Sequence, residues 1–554
     1  MPESAAQTLA PDTPDTPAGR GLDRRRLLGR GAAVAAGVAG ASAFGGLAAA
    51  PALAAGTTRS RLGTAPPRPS LGAPGVTSRS PYVTADQSRL LLRRAGYGVT
   101  AADLADVERL GHAGWVNWQL NPNAIPDTLA EQVVARMPEL SWPIWQVNAA
   151  INNGTLNGWT QMTNTVLAQV VRAAWSKRQL LSVMEDFWSN HFNVTCPGDG
   201  VDANRADYAN IIRANALGKF STLLTAISTH PAMLTYLGNY TSTYQLPNEN
   251  QGRELLELHT VGINAGYGEV GVQNSARILT GLSISSDSGE FLYEPWKHYA
   301  GRVTVLGFTD PNPTQTGGLG VAVRYLSYLA HHPDTATRIA TKLATHFVSD
   351  NPPASLVAEL AHTYLVADTD IATVLRQLFA SPQFAESAGQ KTLRPYEHLI
   401  SVVRLLGLQP DTTGTNGPQA FVYQAADGGH QPLYWPEPDG YPDVTLNWAS
   451  TGATLSRWNQ TLSLTAGWYP NTLVRQPLAT YLLGPHLPAT HGQLIDTIAL
   501  KLFGRTLTPT HSAALLSFVG AASTSPVTAS SPAASWYLPY LTAVMLDSPY
   551  HLYS

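Results

Sequence analysis

The chain has 554 residues, of which 44% are hydrophobic and only 13% charged, and its formal net charge is −3. This charged fraction is about half of the usual quarter, which argues against long disorder and against a coiled coil. The near-neutral charge gives no basic surface for nucleic acid, and a single Cys excludes a disulfide framework or a multi-cysteine metal site. The composition therefore predicts a globular chain with a sizeable core, but no particular function.

The first segment has the pattern of an export signal. Residues 23–28 (DRRRLL) form a twin-arginine motif, residues 31–50 are rich in Ala, Gly and Val, and residues 52–54 (ALA) provide a cleavage site. We predict a signal peptide over 1–54 and export by the twin-arginine route to the cell envelope or the extracellular space. A flexible linker is expected over 55–85. Because the apolar stretch is weakly hydrophobic, we expect cleavage, and no transmembrane segment in the mature chain.

From residue 86 the hydrophobic pattern is helical almost to the end of the chain. Apolar residues recur at three- and four-residue spacings, and Thr100 stands where an N-cap would begin the second helix. Strand signals are sparse. The predicted fold is mainly α, a large single multi-helical domain over 86–554 with a small β-ribbon near 291–306. Helices are predicted at 86–95, 101–120, 128–137, 162–192, 205–230, 250–262, 269–281, 321–331, 334–349, 353–364, 369–381, 394–407, 450–466, 490–503, 508–519 and 532–546.

Four long loops interrupt this helical pattern. Loops of such length in a compact helical protein usually form lids or the walls of a site. They are predicted at 193–204, 240–250, 282–318 and 408–448.

The first candidate for chemistry is a helix face that contains a histidine. Met184, Phe187, Trp188 and His191 share one face at offsets of 0, 3, 4 and 7 residues. Because that face is apolar, we expect His191 to point into a buried environment. It is then either a hydrogen-bonded core histidine or a ligand or general base.

The second candidate is a polar stripe on another predicted helix. At about 100° per residue, Asn250, Arg253, Glu254 and Glu257 fall on one side and His259 on the other. Two adjacent carboxylates repel each other, share a proton or hold a cation. Arg253 and Glu257 are also spaced as an i,i+4 ion pair, so a solvated, salt-bridged face is an equal alternative. His259 and Glu257 cannot ligate one ion together unless the helix ends between them.

The third candidate is His298, the titratable group of a loop that enters the predicted strand at 301–306. Known nucleophile and phosphate motifs are absent from the sequence, including the Gly-x-Ser-x-Gly elbow, the P-loop and the dinucleotide glycine fingerprint.

Blocks along the chain resemble the motifs of one bacterial protein family, catalogued as domain of unknown function 1800. The resemblance runs in consistent order from about residue 86 to 552. It implies a large, mostly helical and usually exported protein, often encoded beside another exported protein, and it implies no reaction. The chain departs from the family pattern at Tyr299 and Arg302, where the family has Asp and Lys. The blocks are 92–98, 187–192, 248–262, 275–281, 298–307, 332–348, 381–384, 391–397 and 438–442.

The leading hypothesis is an exported enzyme, a hydrolase that acts on an extracellular or envelope polymer by acid/base or metal-assisted chemistry. The alternatives are a non-catalytic secreted scaffold that binds a co-exported protein, and a redox metalloprotein. The predicted catalytic residues are Glu254, Glu257, His191 and His298. The predicted substrate-binding residues are Asn248, Asn250, Arg253, Trp435 and Trp448. A divalent metal, if one is bound, would be held by His191, Glu254 and Glu257.

Overall fold

Helices begin where the sequence places side chains that can cap them. The Thr100 hydroxyl accepts a hydrogen bond from the backbone N–H of Asp103 at 3.0 Å, which confirms the predicted N-cap. Asn157 and Asp370 cap two further helices in the same way. Each cap satisfies one of the backbone N–H groups that the first turn of a helix leaves unpaired.

The computed structural model describes residues 82–83 and 85–553. These residues belong to a compact unit that spans Val76–Ser554. The predicted signal peptide at 1–54 lies outside the described residues, and so does the predicted linker apart from its last few positions. No helix of the described part is long and apolar enough to cross a bilayer.

The structure is 60% helical, which confirms the predicted mainly α class. Helices α13 and α14 pack together, as do α10 and α11, and α5 contacts α6, α17 and α18. Within the described part the α-helices are α1 (Gln87–Arg94), α2 (Ala101–Gln119), α3 (Thr128–Val134), α4 (Ile144–Asn152), α5 (Gly158–Trp175), α6 (Gln179–His191), α7 (Arg205–Asn215), α8 (Phe220–Ser228), α9 (Pro231–Tyr236), α10 (Glu249–Glu254), α11 (Glu269–Leu279), α12 (Gly318–Ala330), α13 (Pro333–Phe347), α14 (Ala354–Val366), α15 (Ile371–Ala380), α16 (Pro382–Ala385), α17 (Pro395–Leu405), α18 (Asn416–Asp427), α19 (Thr451–Ala466), α20 (Leu478–Leu483), α21 (His491–Phe503), α22 (Pro509–Phe518), α23 (Leu538–Leu546) and α24 (Pro549–Leu552).

The β structure of the described residues consists of two separate antiparallel hairpins. The predicted ribbon near 291–306 is therefore confirmed in place, but the strands at its two ends pair with different partners. Leu306 and Gly307 both have positive φ, at 49° and 89°, which is the backbone geometry of a tight two-residue hairpin turn. The hairpins pair β1 (Leu282–Ile284) with β2 (Phe291–Tyr293), and β3 (Val303–Val305) with β4 (Phe308–Asp310).

Two elements position the candidate residues. Every residue of α6 except Asn190 is buried, so this helix runs through the core. Helix α10 is followed directly by a π-helical turn, Leu255–His259. Such turns are rare and are frequent at functional sites. Gly252 lets α10 lie close to α11, because a Cβ there would lie 2.7 Å from the backbone nitrogen of Ala276.

Candidate functional site

His191 is buried, as its apolar helix face predicts, and both of its ring nitrogens are engaged. Nε2 lies 3.0 Å from the backbone carbonyl of His259, and Nδ1 lies 3.0 Å from Nζ of Lys342. A carbonyl only accepts, so Nε2 carries the proton and Nδ1 accepts from the lysine. Burial, and then the charge of Lys342, hold the pKa of His191 well below its usual range. The neutral ring therefore orients Lys342.

Lys342 is half-buried on α13 and makes no ion pair with another described residue. Burial, and then the like charge of Arg338 one turn away, lower the pKa of Lys342 to about 8. The more distant charges of Asp443 and Asp439 act in the opposite direction. An amine whose pKa is shifted this far toward neutrality is a candidate for a functional group.

The polar stripe around Arg253 is a network of ion pairs. Arg253 contacts Glu269 at 2.7 Å, Glu249 at 3.3 Å and Glu257 at 3.5 Å. The pairing of Arg253 with Glu257 is the one that their spacing predicts. All of these side chains are at least partly exposed, so the network is worth little in stability.

Glu254 differs from the other carboxylates of this stripe. It makes no ion pair or hydrogen bond with another described residue, and it is half-buried. Burial, and then the neighbouring charge of Glu257, raise its pKa, and Asp439 adds to that rise. Glu254, unpaired and with a raised pKa, is therefore a candidate for a proton donor.

The two asparagines of this segment have different surroundings. Asn248 is the N-cap of α10, where its side-chain oxygen accepts from the Asn250 backbone N–H at 3.0 Å. Its side-chain nitrogen donates to the carbonyl of Gly238 at 3.1 Å. The side chain of Asn248 therefore holds backbone in place, whereas Asn250 is exposed.

His298 is fully buried, away from the stripe, between the two hairpins and α12. Nδ1 lies 2.7 Å from the carbonyl of Thr280, and Nε2 lies 3.0 Å from Oδ1 of Asn312. Gly318, at the start of α12, packs so closely that a Cβ there would lie 2.3 Å from the ring. With both nitrogens hydrogen-bonded, His298 links elements of the fold.

Trp435 and Trp448 lie in the loop between α18 and α19, and both are half-buried. The Trp435 indole nitrogen donates to Asp439 at 2.8 Å. The Trp448 ring stacks on His430 with centroids 4.5 Å apart, so one of its faces is covered. The ring of Tyr441 also lies against Trp448, with its centroid 5.8 Å away.

The same loop completes a histidine–carboxylate pair that the sequence patterns did not single out. Nδ1 of His346, on α13, lies 2.5 Å from Oδ2 of Asp443. The ammonium of Lys391 lies 3.3 Å from Oδ1 of Asp443 and 2.8 Å from Asp350. Burial would raise the pKa of Asp443, but the charges of His346, Arg394 and Lys391 together hold it well below its usual range.

His346 and Asp443 line a partly open cavity whose empty volume, with the solvent in its mouth, is about 480 Å³. Nε2 of His346 makes no hydrogen bond with another described residue. Behind the pair, Arg394 contacts Glu397 at 2.8 Å and the buried Asp186 at 3.2 Å. The cavity therefore combines a free imidazole nitrogen with ion pairs that fix its walls.

Local sequence signals for these residues existed. Lys342 and His346 are four residues apart within the block 332–348. Lys391 and Arg394 both lie in the block 391–397. What the sequence lacks is any sign that His346 meets Asp443, because 97 residues separate them.

The predicted metal ligands His191, Glu254 and Glu257 do not lie together in one site. Among the described residues, no three His, Cys, Asp or Glu side chains lie in an arrangement that could hold a metal ion. The physical reason at His191 is that Lys342 and a backbone carbonyl take both of its nitrogens. Glu254 and Glu257 lie on the surface stripe, apart from that buried ring.

Comparison with known proteins places the chain in a family without an assigned reaction. Residues 90–553 match the model of the family described as protein of unknown function (DUF1800), and the chain belongs to that family. No curated protein and no solved structure matches the chain.

Proposed function

We propose that this protein is an exported hydrolase, and that the pair formed by His346 and Asp443 is its general base. The observation that carries this proposal is the 2.5 Å contact between the two side chains at the wall of a cavity. A carboxylate on one nitrogen of a histidine fixes the tautomer, so that the other nitrogen can accept a proton.

The proton transfer follows from this geometry. Nδ1–H of His346 donates to the Asp443 carboxylate, which leaves the lone pair of Nε2 free to take a proton from a water molecule. The resulting hydroxide attacks the substrate, and Asp443 stabilises the imidazolium that forms. Besides His346, the charges of Arg394 and Lys391 lower the pKa of Asp443, which favours its ionised form.

Glu254 supplies the complementary general acid in this proposal. Its pKa is raised by burial and by Glu257, so a larger fraction of it is protonated near neutral pH than of an ordinary glutamate. Asp439, in the loop that also carries Asp443, is close enough to contribute to that rise.

The substrate class and the location rest on the N-terminal sequence. A twin-arginine signal would deliver the protein to the envelope or the extracellular space, where polymers are the abundant hydrolysable substrates. Trp435 and Trp448, on the same loop, are both half-buried and offer partly exposed aromatic surface for such a polymer.

Removal of the base tests the proposal. The protein, purified after export, is assayed on peptidoglycan, neutral glycans and ester-linked polymers. His346→Asn and Asp443→Asn are each expected to lower kcat by about a hundredfold or more. His362→Asn, at an exposed histidine of α14, is the matched control and should leave the rate unchanged. Full activity in His346→Asn would overturn the proposed base.

Removal of the glutamates tests the acid separately. The double variant Glu254→Gln, Glu257→Gln removes both carboxylates of the stripe while it keeps their shape. We expect activity to fall and the alkaline limb of the pH–rate profile to disappear, since that limb reports the group that must be protonated. An unchanged profile would exclude both glutamates from the reaction.

A secreted scaffold for a co-exported protein is the second candidate function. The observation in its favour is that Arg253 joins Glu249, Glu257 and Glu269, so part of the polar motif serves as a static network. A pull-down from the exported fraction distinguishes the two functions. A stoichiometric partner, together with no hydrolysis in the substrate panel, would favour the scaffold.

A further inference from the structure

Two cations on α13 lie without an ion-pair partner in the described part of the chain. Arg338 and Lys342 lie one turn apart on the same helix face, and both are half-buried. Neither makes an ion pair within 4.0 Å with an acidic side chain of the described part. Arg338 instead donates through Nε and Nη2 to the carbonyl of Leu258, at 3.3 and 3.2 Å.

Two buried polar atoms beside these cations also lack partners. His259 is only 2% exposed, and its Nε2 makes no hydrogen bond in the described part of the chain. Burial, and then the charges of Lys342 and Arg338, lower the pKa of His259 to about 3, so the ring is neutral and can donate through one nitrogen. The hydroxyl of Tyr267 is likewise buried without a partner, and the charges that act on it are first that of Glu257 and then those of Arg253 and Arg338.

The backbone of Gly262 lies close to the guanidinium of Arg338. Gly262 follows the π-helical turn with a φ of 88°, and a Cβ at this position would lie 3.0 Å from Nη1 of Arg338. A residue with a side chain would crowd that nitrogen, whereas glycine leaves it accessible.

We propose that Arg338, Lys342, His259 and Tyr267 form a binding site for an oxyanion, either a carboxylate or a phosphate group. Guanidinium and ammonium groups bind such oxygens through charge-assisted hydrogen bonds. A bound oxyanion supplies the missing negative charge, and it accepts from donors that would otherwise stay buried and unpaired at a cost in free energy. The site does not require His346 to act as a base.

The charge of Lys342 gives the site a pH dependence. The groups that act on Lys342 are His191, which accepts its hydrogen bond, the cation Arg338, and the more distant Asp443 and Asp439. Because an anion binds the protonated amine more tightly, affinity should fall as pH rises through about 8, where Lys342 loses its proton.

Calorimetric titration of the full chain with inorganic phosphate and with acetate tests the site. Ionic strength is held constant with chloride. At pH 7 we expect saturable binding of one or both anions, weakened about tenfold in Lys342→Met by the loss of a charge-assisted contact. Lys501→Met, at an exposed lysine of α21, is the control and should bind as the unchanged protein does.

Two further variants keep the test decisive. Arg338→Gln also removes the contact to Leu258, so Tyr267→Phe is used beside it, since that variant leaves the backbone contact in place. Both should weaken binding, whereas His346→Asn should retain it, even if the proposed general base is wrong. Absence of binding above the chloride background, or equal affinity in all variants, would overturn the proposal.

Discussion

Histidines with similar burial have different environments in this protein. His191 accepts a hydrogen bond from a lysine, His259 has a nitrogen without a partner, and His298 has both nitrogens bonded. His346 alone among these four combines a carboxylate partner on Nδ1 with a place in the cavity wall. The role of each ring is therefore set by its partners.

His298→Ala tests the structural role inferred for that ring. The substitution leaves the carbonyl of Thr280 and the side chain of Asn312 without their partner and creates a cavity. We expect the free energy of unfolding to fall by about 3 kcal/mol. Urea unfolding measures this change, and His362→Ala at an exposed position should change it by less than about 0.5 kcal/mol. A neutral effect at His298 would contradict the structural role.

At the scale of elements, the path of one loop determines the proposed active site. The loop between α18 and α19 passes against the C-terminal end of α6 and so brings Asp443 to α13. Gly440 makes this contact: its φ is 73°, and a Cβ there would lie 2.1 Å from the carbonyl oxygen of Asn190. Glycine is required both for the backbone conformation and for the close approach.

Gly440→Ala should therefore displace the loop. We expect lower thermal stability and a loss of activity similar to that of Asp443→Asn, because the carboxylate moves away from His346. Gly452→Ala is the matched control. Gly452 lies in α19 with open space where a Cβ would be added, so this variant should be neutral or slightly stabilising. Calorimetric unfolding and the hydrolysis assay report the two effects. Equal behaviour of the two variants would contradict this role of the loop.

The elements themselves could be predicted because their signals are local. Helical periodicity predicted many helices close to their observed bounds, and the Thr100 cap was correct. It wrongly merged α5 with α6 and α7 with α8, and α18 lies inside the predicted loop at 408–448. The β-ribbon was placed correctly, but its division into two hairpins depends on which segments meet. The π-helical turn at Leu255–His259 has no periodicity signal of its own, so the sequence predicted an ordinary helix there.

At the scale of the whole molecule, buried neutral histidines make stability depend on pH. Burial is the largest cause that lowers the pKa of six histidines in the folded state. In the unfolded chain each would have its ordinary pKa near 6.5. Below that pH the unfolded state binds protons that the folded state does not, so stability is lost as pH falls. The six are His191, His230, His259, His398, His430 and His551.

We therefore expect the protein to unfold more easily in mild acid. Between pH 7.5 and 5.5 the free energy of unfolding should fall by up to about 1 kcal/mol for each of these histidines. Below about pH 4, protonation of Asp443 adds a further loss, because its pKa is held low only in the folded state. Urea unfolding at a series of pH values measures the slope. A midpoint that stays constant from pH 7.5 to 5.5 would contradict the prediction.

The sequence by itself determined the mainly α class, the family, and the burial of His191, because these follow from local periodicity and from motif order. It also gave the spacing that pairs Arg253 with Glu257. Only the tertiary structure decided which groups meet. The contact of His346 with Asp443 joins residues far apart in the chain, and the low pKa of Lys342 arises from burial beside Arg338. Distance and desolvation are properties of the packed chain, so no pattern of neighbouring residues could specify them.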